Sequence, residues 1–307
     1  MTMLMPHIAS RMFNTPLLID AGKAAAILTG LGGRVVDGGV EFTGAVPLNH
    51  IAFEGGRVSD SLGTLGDRLG RAYEKAGEGG RIFDRIGPVA LVPIEGTLIH
   101  KGAFLGQSSG EMSYQGLQTK VQAIRRDPSV RGVAYEVDSF GGEGAGVFDT
   151  ADMMAQLSRE KPTIAILNDF AFSAAYLLAS TARQIIIPAM GAAGSIGAIT
   201  MHLDHSARLE KAGTKVTIVA SGKHKGDGHS FGPLSEDVLA KMQARLDRMR
   251  DQFAAAVGGY RGSRMTKAAA LATEADAFTG DEAVRIGLAD EVARPSEAFE
   301  QFVSLIR

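Results

Sequence analysis

The chain contains no cysteine. A thiol nucleophile, a disulfide framework and a cysteine-ligated zinc are thereby excluded, and a reducing compartment fits. Neither sign of charge is in excess: 32 Lys and Arg stand against 34 Asp and Glu, a net charge of −2 with a pI near 6.4. No Lys/Arg run is long enough for a nucleic-acid surface, so no nucleic-acid partner is expected. No uninterrupted apolar stretch approaches the ~20 residues that a spanning helix needs. His7, Arg11 and Asp20 interrupt the N-terminus, which therefore lacks the charged-then-apolar pattern of a secretory signal. These absences lead us to expect a soluble, intracellular chain with no membrane partner.

Several motifs are missing as well. The stretch around Ser173 lacks the Gly-x-Ser-x-Gly form of a nucleophile elbow, and the chain has no Gly-x-x-x-x-Gly-Lys-[Ser/Thr] loop, so phosphate cradling is discounted. None of His7, His50, His100, His202, His205, His224 and His229 sits in a motif that pairs it with a serine and an acid. His202 and His205 flank Asp204, but that spacing without further ligands does not make a metal site. Neither a metal nor a cofactor is expected.

What is present is a chain of 307 residues, 45% hydrophobic, enough for one large domain or two modest ones. Residues up to about 55 hold one predicted helix, Ala21 to Leu31, stopped by Gly32-Gly33. Residues 56–87 are rich in Gly, Asp and Arg and read as a connector with a short helix around Leu65 to Ala76. We place a boundary near Ile86, with an extension and linker over 1–85 and a main domain over 86–307. From Pro88 the pattern alternates. Strands are predicted at Val89–Ile94, Val133–Val137, Thr163–Leu167, Gln184–Ile187 and Lys215–Val219. Helices are predicted at Gln115–Arg125, Gly146–Leu157, Tyr176–Ala182 and Ser206–Ala212. Repeated β-then-α units imply parallel strands covered by helices, an α/β architecture. Functional residues then belong beyond the strands' carboxyl ends. A long helix from Glu236 to about Val257, capped by Ser235, carries Val238, Leu239, Met242, Leu246, Met249, Phe253 and Val257 on one face. That stripe reads as core or subunit-interface packing.

The most informative stretch is Thr163 to Ala175. A β-type run ends at Asn168-Asp169, and a single hydroxyl, Ser173, follows among very small residues before a helix-forming run. A serine at a strand-to-helix turn can expose an oxygen nucleophile, and the next N–H, that of Ala174, then points toward the developing oxyanion. The plainer alternative is a serine that caps a helix. Gly141-Gly142 admits two readings as well: a tight turn with positive φ, or a side-chain-free backbone that supplies the second oxyanion donor. A serine nucleophile needs a base, and with no histidine motif a neutral lysine is the other choice. A lysine in that role must bring an ammonium pKa of ~10.4 to about 7, roughly 4 kcal/mol of differential stabilisation, by burial against apolar groups. The segment Ala220-Ser221-Gly222-Lys223-His224-Lys225-Gly226-Asp227-Gly228 offers two lysines, or else simply a charged surface turn.

Taken in order, the Asp138–Gly142 loop, the Ser173 turn after Asp169-Phe170-Ala171, Gly194-Ser195-Ile196-Gly197 and Ser221-Gly222-Lys223-His224-Lys225 resemble the motifs of signal-peptide-peptidase-A-like serine peptidases. The resemblance covers about residues 86–290 and implies a ClpP/crotonase-like fold of repeated β-β-α units. Phe278 to Asp290 is similar to that group's closing helix motif. Carried over, the resemblance implies Ser173 as nucleophile and Lys225 as general base. It implies Ser195 as a support that hydrogen-bonds the lysine, and Gly141 or Gly142 with Ala174 as the oxyanion hole. Two departures stand out: Ala174-Ala175 where the family has glycines, and Phe140 in place of a common proline. The stretch Pro6 to Leu17 resembles the opening of the phage head maturation branch of the family. The branch implies a serine endopeptidase acting on capsid, portal or scaffold proteins in the host cytoplasm or the procapsid. Longer relatives carry a scaffold segment after the protease; with the chain ending at Arg307, a separate scaffold protein is expected. Family members form rings, and some complete the dyad across subunits, so a homo-oligomer is expected, with the 236–257 helix as a candidate contact. The alternatives are a cytoplasmic signal-peptide-peptidase-like protease, a crotonase-like acyl-CoA enzyme that would use a carboxylate, and a noncatalytic capsid-assembly component.

Overall fold

β-branched and aliphatic runs become the strands of the computed structural model, which describes residues 13–25, 73–74, 82–101 and 111–306. In chain order the strands are β1 (Leu17–Ile19), β2 (Tyr73–Glu74), β3 (Asp84–Ile86), β4 (Val89–Glu95), β5 (Thr97–Ile99), β6 (Glu111–Ser113), β7 (Gly132–Ser139), β8 (Gly141–Glu143), β9 (Thr163–Phe172), β10 (Gln184–Ile187), β11 (Ala192–Gly194), β12 (Ala277–Thr279) and β13 (Glu291–Val292). The helices are α1 (Tyr114–Arg126), α2 (Val147–Glu160), α3 (Ala174–Ala179), α4 (Ser206–Lys211), α5 (Glu236–Arg261), α6 (Lys267–Ala272), α7 (Gly280–Arg285) and α8 (Pro295–Leu305).

The large sheet runs in the order β12-β11-β9-β7-β4-β3-β2, with β10 beside β9 and β13 beside β10. Its centre is parallel: β4 pairs with β7, and β7 with β9. Such strands are buried on both faces, which explains the near-continuous apolar runs of β4, β7 and β9. On one face Leu117, Val121, Met154 and Leu157 of α1 and α2 pack with Val92, Val133 and Tyr135. On the other, Phe299, Phe302 and Val303 of α8 cover Leu91, Ala134, Ile164 and Ile166. A second, small sheet has the order β1-β8-β5-β6. The chain thus passes from a large-sheet strand to a small-sheet strand and then to a helix, twice over (β4–β5–β6–α1 and β7–β8–α2). The α/β architecture expected from sequence is present.

Four local expectations need correcting. Asn168-Asp169 does not end the strand: β9 runs on to Phe172, because the pairing with β7 shifts register between Leu167 and Ala171 while Phe170 to Phe172 pair with β11. Gly141-Gly142 is not a free loop but the strand β8, held between β1 and β5. Residues 215–219 form no strand and lie exposed, since among the described residues no sheet edge meets them. Tyr73-Glu74, placed by sequence in a helix, pairs antiparallel with β3. The rest of that predicted helix, and the predicted helix beyond residue 25, lie outside the described residues. Among the described residues, no helix is long and apolar enough to cross a membrane. In α5, Val238, Phe253 and Val257 are buried but Leu239 is exposed, so the stripe is core mainly toward its C-terminus.

A buried ion pair fixes the helix that follows Ser173. The fully buried guanidinium of Arg261 bonds Asp290 at 2.8 and 3.0 Å and the Gly287 carbonyl at 2.9 and 3.2 Å. Asp290 also accepts the Ile185 N–H at 2.7 Å, while Tyr176 of α3 donates to Leu288 O at 3.0 Å. Burial alone would raise the Asp290 pKa, but Arg261, the Ile185 N–H and Arg264 outweigh it and hold the carboxyl below its ordinary value. Removing one member strands the other's charge. Asp290→Ala is expected to destabilise the fold by about 3 kcal/mol, read as a lower midpoint in urea denaturation.

Candidate active site

Ser173 is the residue between β9 and α3, and its backbone is strained to make the turn. Its φ is +54° with ψ −120°, a conformation costly for a residue with a Cβ. Its N–H donates to Gly194 O at 2.9 Å. The side chain is buried, and among the described residues Oγ has no hydrogen-bond partner. It is not a capping serine: it accepts nothing from α3. A buried hydroxyl left unbonded carries an energetic penalty that a purely structural serine would avoid.

Two glycine-bearing segments flank it. Gly141 has φ +96°. A Cβ there would overlap the Leu18 carbonyl oxygen and approach Ser173 Cβ and Phe172 O at 3.1 Å each. Only glycine leaves that space. Gly142 is packed against Leu98 backbone, where a Cβ would overlap the carbonyl oxygen. On the other side β11 pairs in parallel with β9, Gly194 opposite Phe172. Ser195 therefore follows Gly194 as Ser173 follows Phe172, and it repeats the φ of +54°. The Ala174 N–H begins α3, where intrahelical bonding leaves donors unpaired. Ser173, Ala174, Gly141, Gly142 and Ser195 are thus brought together, at the carboxyl ends of β7, β9 and β11.

The model of Peptidase family S49 matches residues 155–305, which include this serine and both lysines. That span is just under half of the chain. It is 34% identical to the capsid assembly protease C of Escherichia phage lambda, over 96% of this chain and 64% of that protein. It is also 34% identical to the head-tail preconnector protein GP5 of Enterobacteria phage P21, over 95% of this chain and 56% of that protein. The chain thus spans roughly three fifths of the length of these relatives. Among solved structures it is similar to an enoyl-CoA hydratase from Shewanella pealeana ATCC 700345, at TM-score 0.40 and 13% identity, covering 72% of this chain and 71% of that one.

Lys225 is not brought to Ser173 within the single chain. It lies exposed in the turns of residues 221–228, with its N–H on Gly222 O at 3.1 Å. The Asp227 carboxylate pairs with His224 Nδ1 at 3.1 Å and with Lys241 Nζ at 3.2 Å.

Sequence reasoning missed three contributors. Ser139 Oγ donates to Gly96 O at 2.6 Å and accepts the Gly141 N–H at 3.1 Å, so it holds the glycine segment in place. Phe140, Phe170 and Phe172 form a cluster with ring centroids 5.0 to 5.5 Å apart at the mouth of the turn. Leu17 to Ile19 lie along Gly141 to Glu143. Aromatic residues two apart on one strand, Phe170 and Phe172, share a face and carried a readable signal. The other two contributors depend on pairing between segments far apart in the chain.

Below the turn, burial pushes the Glu136 carboxyl up from 4.5 to about 8; Asn168 Nδ2, 3.1 Å away, opposes the shift, and nearby Glu95 and Asp138 add to it. An unfolded chain loses that proton near 4.5, the folded chain only near 8. Stability therefore falls as pH rises between those values. Glu136→Gln removes the titration and is expected to flatten this decline, so its melting temperature exceeds that of the parent at pH 8.5 by more than at pH 5.

Proposed function

We propose that the chain is a serine endopeptidase with a Ser–Lys dyad that matures phage heads by cleaving capsid, portal or scaffold proteins. One observation carries the reading: a buried, unpartnered Ser173 hydroxyl on a strained turn between Gly141 and Ser195. The relationship to a phage protein named capsid assembly protease C supplies the substrate class.

In this mechanism neutral Lys225 takes the Ser173 proton as Oγ attacks a peptide carbonyl carbon. The oxyanion rests on the Ala174 N–H and on the Gly141 N–H, which exchanges its bond to Ser139 for the substrate oxygen; each such donor contributes ~3 kcal/mol. Gly142, enclosed by Leu98 and Leu18, is the weaker candidate for the second donor. The tetrahedral intermediate collapses, Lys225 returns the proton to the leaving amine, and water hydrolyses the acyl-enzyme. Substrate lies extended against β8 and the segment after Ser195, with backbone bonds to both.

The base must be dry, and assembly supplies the dryness. In the single chain Val219 is 94% exposed, and Val216, Ile218 and Phe231, on either side of Lys225 in sequence, are also uncovered. A β-type run with apolar side chains and no strand partner is suited to pairing with another copy. A neighbouring subunit that covers residues 215–231 would bury the lysine beside a serine. A fluorophosphonate is expected to label Ser173 rapidly in the assembled protein and slowly at high dilution. A folded, assembled chain that never labels at Ser173 would sink the reading.

A further inference from the structure

We propose that residues 13–19 occupy the cleft that a peptide substrate must enter, and hold the peptidase latent until they are displaced. The inference rests on the function proposed above.

The small sheet does not end at β8. β1 lies against it antiparallel, with Leu17 opposite Glu143, Leu18 opposite Gly142 and Ile19 opposite Gly141. The Asp20 N–H donates to Phe140 O at 2.9 Å, and the Gly144 N–H to Pro16 O at 3.4 Å. On its other edge the same segment meets residues 199–201, which follow the Ser195 turn. The Leu17 N–H donates to Ile199 O at 2.8 Å, the Ile199 N–H returns a bond to Leu17 O at 3.0 Å, and the Asn14 N–H donates to Met201 O at 2.8 Å. One extended strand is therefore bonded at once to the glycine segment and to the segment beyond Ser195. That is the pose expected of an extended substrate. The strand also borders the nucleophile, because the space missing at Gly141 is shared by Leu18 O and Ser173 Cβ.

Side chains alternate as they would in a bound peptide. Leu18 is fully buried in the main core, whereas Leu17 and Ile19 pack with Ala24, Ile199 and Met201. Three further bonds fasten the segment: Asn14 Nδ2 to Gly228 O at 2.9 Å, three residues from Lys225, Thr200 Oγ1 to Thr15 O at 3.2 Å, and His202 Nδ1 with Asn14 Oδ1 at 3.4 Å. The occupant thereby ties down the lysine-bearing turn as well. A backbone edge pairs with one strand at a time, so substrate and residues 13–19 exclude each other.

The test uses the full chain and its lack of cysteine. Leu17 and Ile199 exchange both backbone bonds, an arrangement with Cα atoms ~5.5 Å apart, within disulfide reach. Leu17→Cys with Ile199→Cys is expected to crosslink on oxidation and to lower hydrolysis of dye-quenched casein at least tenfold, with recovery on reduction; the parent chain is indifferent to the oxidant. Fluorophosphonate labelling of Ser173 in the reduced double variant reports the nucleophile separately. Equal hydrolysis by both redox forms, with labelling intact, overturns the latent strand and leaves the peptidase standing. Failure of the two cysteines to crosslink in the folded chain also overturns it. A reduced form that neither labels nor hydrolyses overturns the peptidase reading and this inference with it.

Discussion

Ser173→Ala is expected to lower hydrolysis of capsid-derived peptides by at least ~10,000-fold, because removing a nucleophile that acts as a unit with its base leaves only binding and oxyanion stabilisation. The same change is expected to leave the melting temperature unchanged or slightly raised. The lost oxygen is buried with no partner among the described residues, so its removal breaks no bond there and relieves a desolvation penalty. Alanine keeps the Cβ at the same φ of +54° and makes no new contact. A serine kept for structure would give the opposite pair of results, a loss of stability with activity tracking the folded fraction. Measuring kcat/KM and thermal unfolding on one preparation separates the two. Residual activity near that of the parent would remove Ser173 from the chemistry.

How much of this was legible in the sequence depends on whether the information is local. The strand at Gln184–Ile187 and the helix opening at Ser235-Glu236 announced themselves, since each is decided by side-chain pattern and capping within a few residues. Ser173 and Gly141 were singled out because the turns they make need small residues wherever the chain lies, whereas Ser195 entered through the family resemblance. The extension of β9 through Asn168-Asp169 was not legible: those polar residues are accommodated by a register shift against β7, a property of the pair and not of either strand. The reading of Lys215–Val219 as a strand shows the converse. Its composition is β-type, yet a strand also requires a partner, and among the described residues none pairs with it. Leu17–Ile19 was invisible for the same reason, since its partners lie more than a hundred residues away at Gly141–Glu143. What sequence alone resolved least was the relation between Lys225 and Ser173, and the single chain leaves them apart.

That separation makes Lys225→Ala the most informative base substitution. It is expected to reduce kcat/KM about 1000-fold, the range of a lost general base. The melting temperature should not move, because the side chain is exposed and the turn is held by the backbone bond to Gly222, which alanine keeps. His224→Ala is the control. Its ring is engaged with Lys241 Nζ at 2.6 Å and Asp227 at 3.1 Å, so hydrolysis should stay within about twofold of the parent. A loss confined to His224→Ala would transfer the base to the histidine. Concentration then reports where the lysine acts. If a second subunit covers residues 215–231, activity per chain falls on dilution in the parent. Mixing Ser173→Ala with Lys225→Ala chains then restores hydrolysis only when the two groups come from different subunits. No recovery in the mixture, with activity independent of dilution, requires instead that the turn carrying Lys225 swing onto the serine of its own chain.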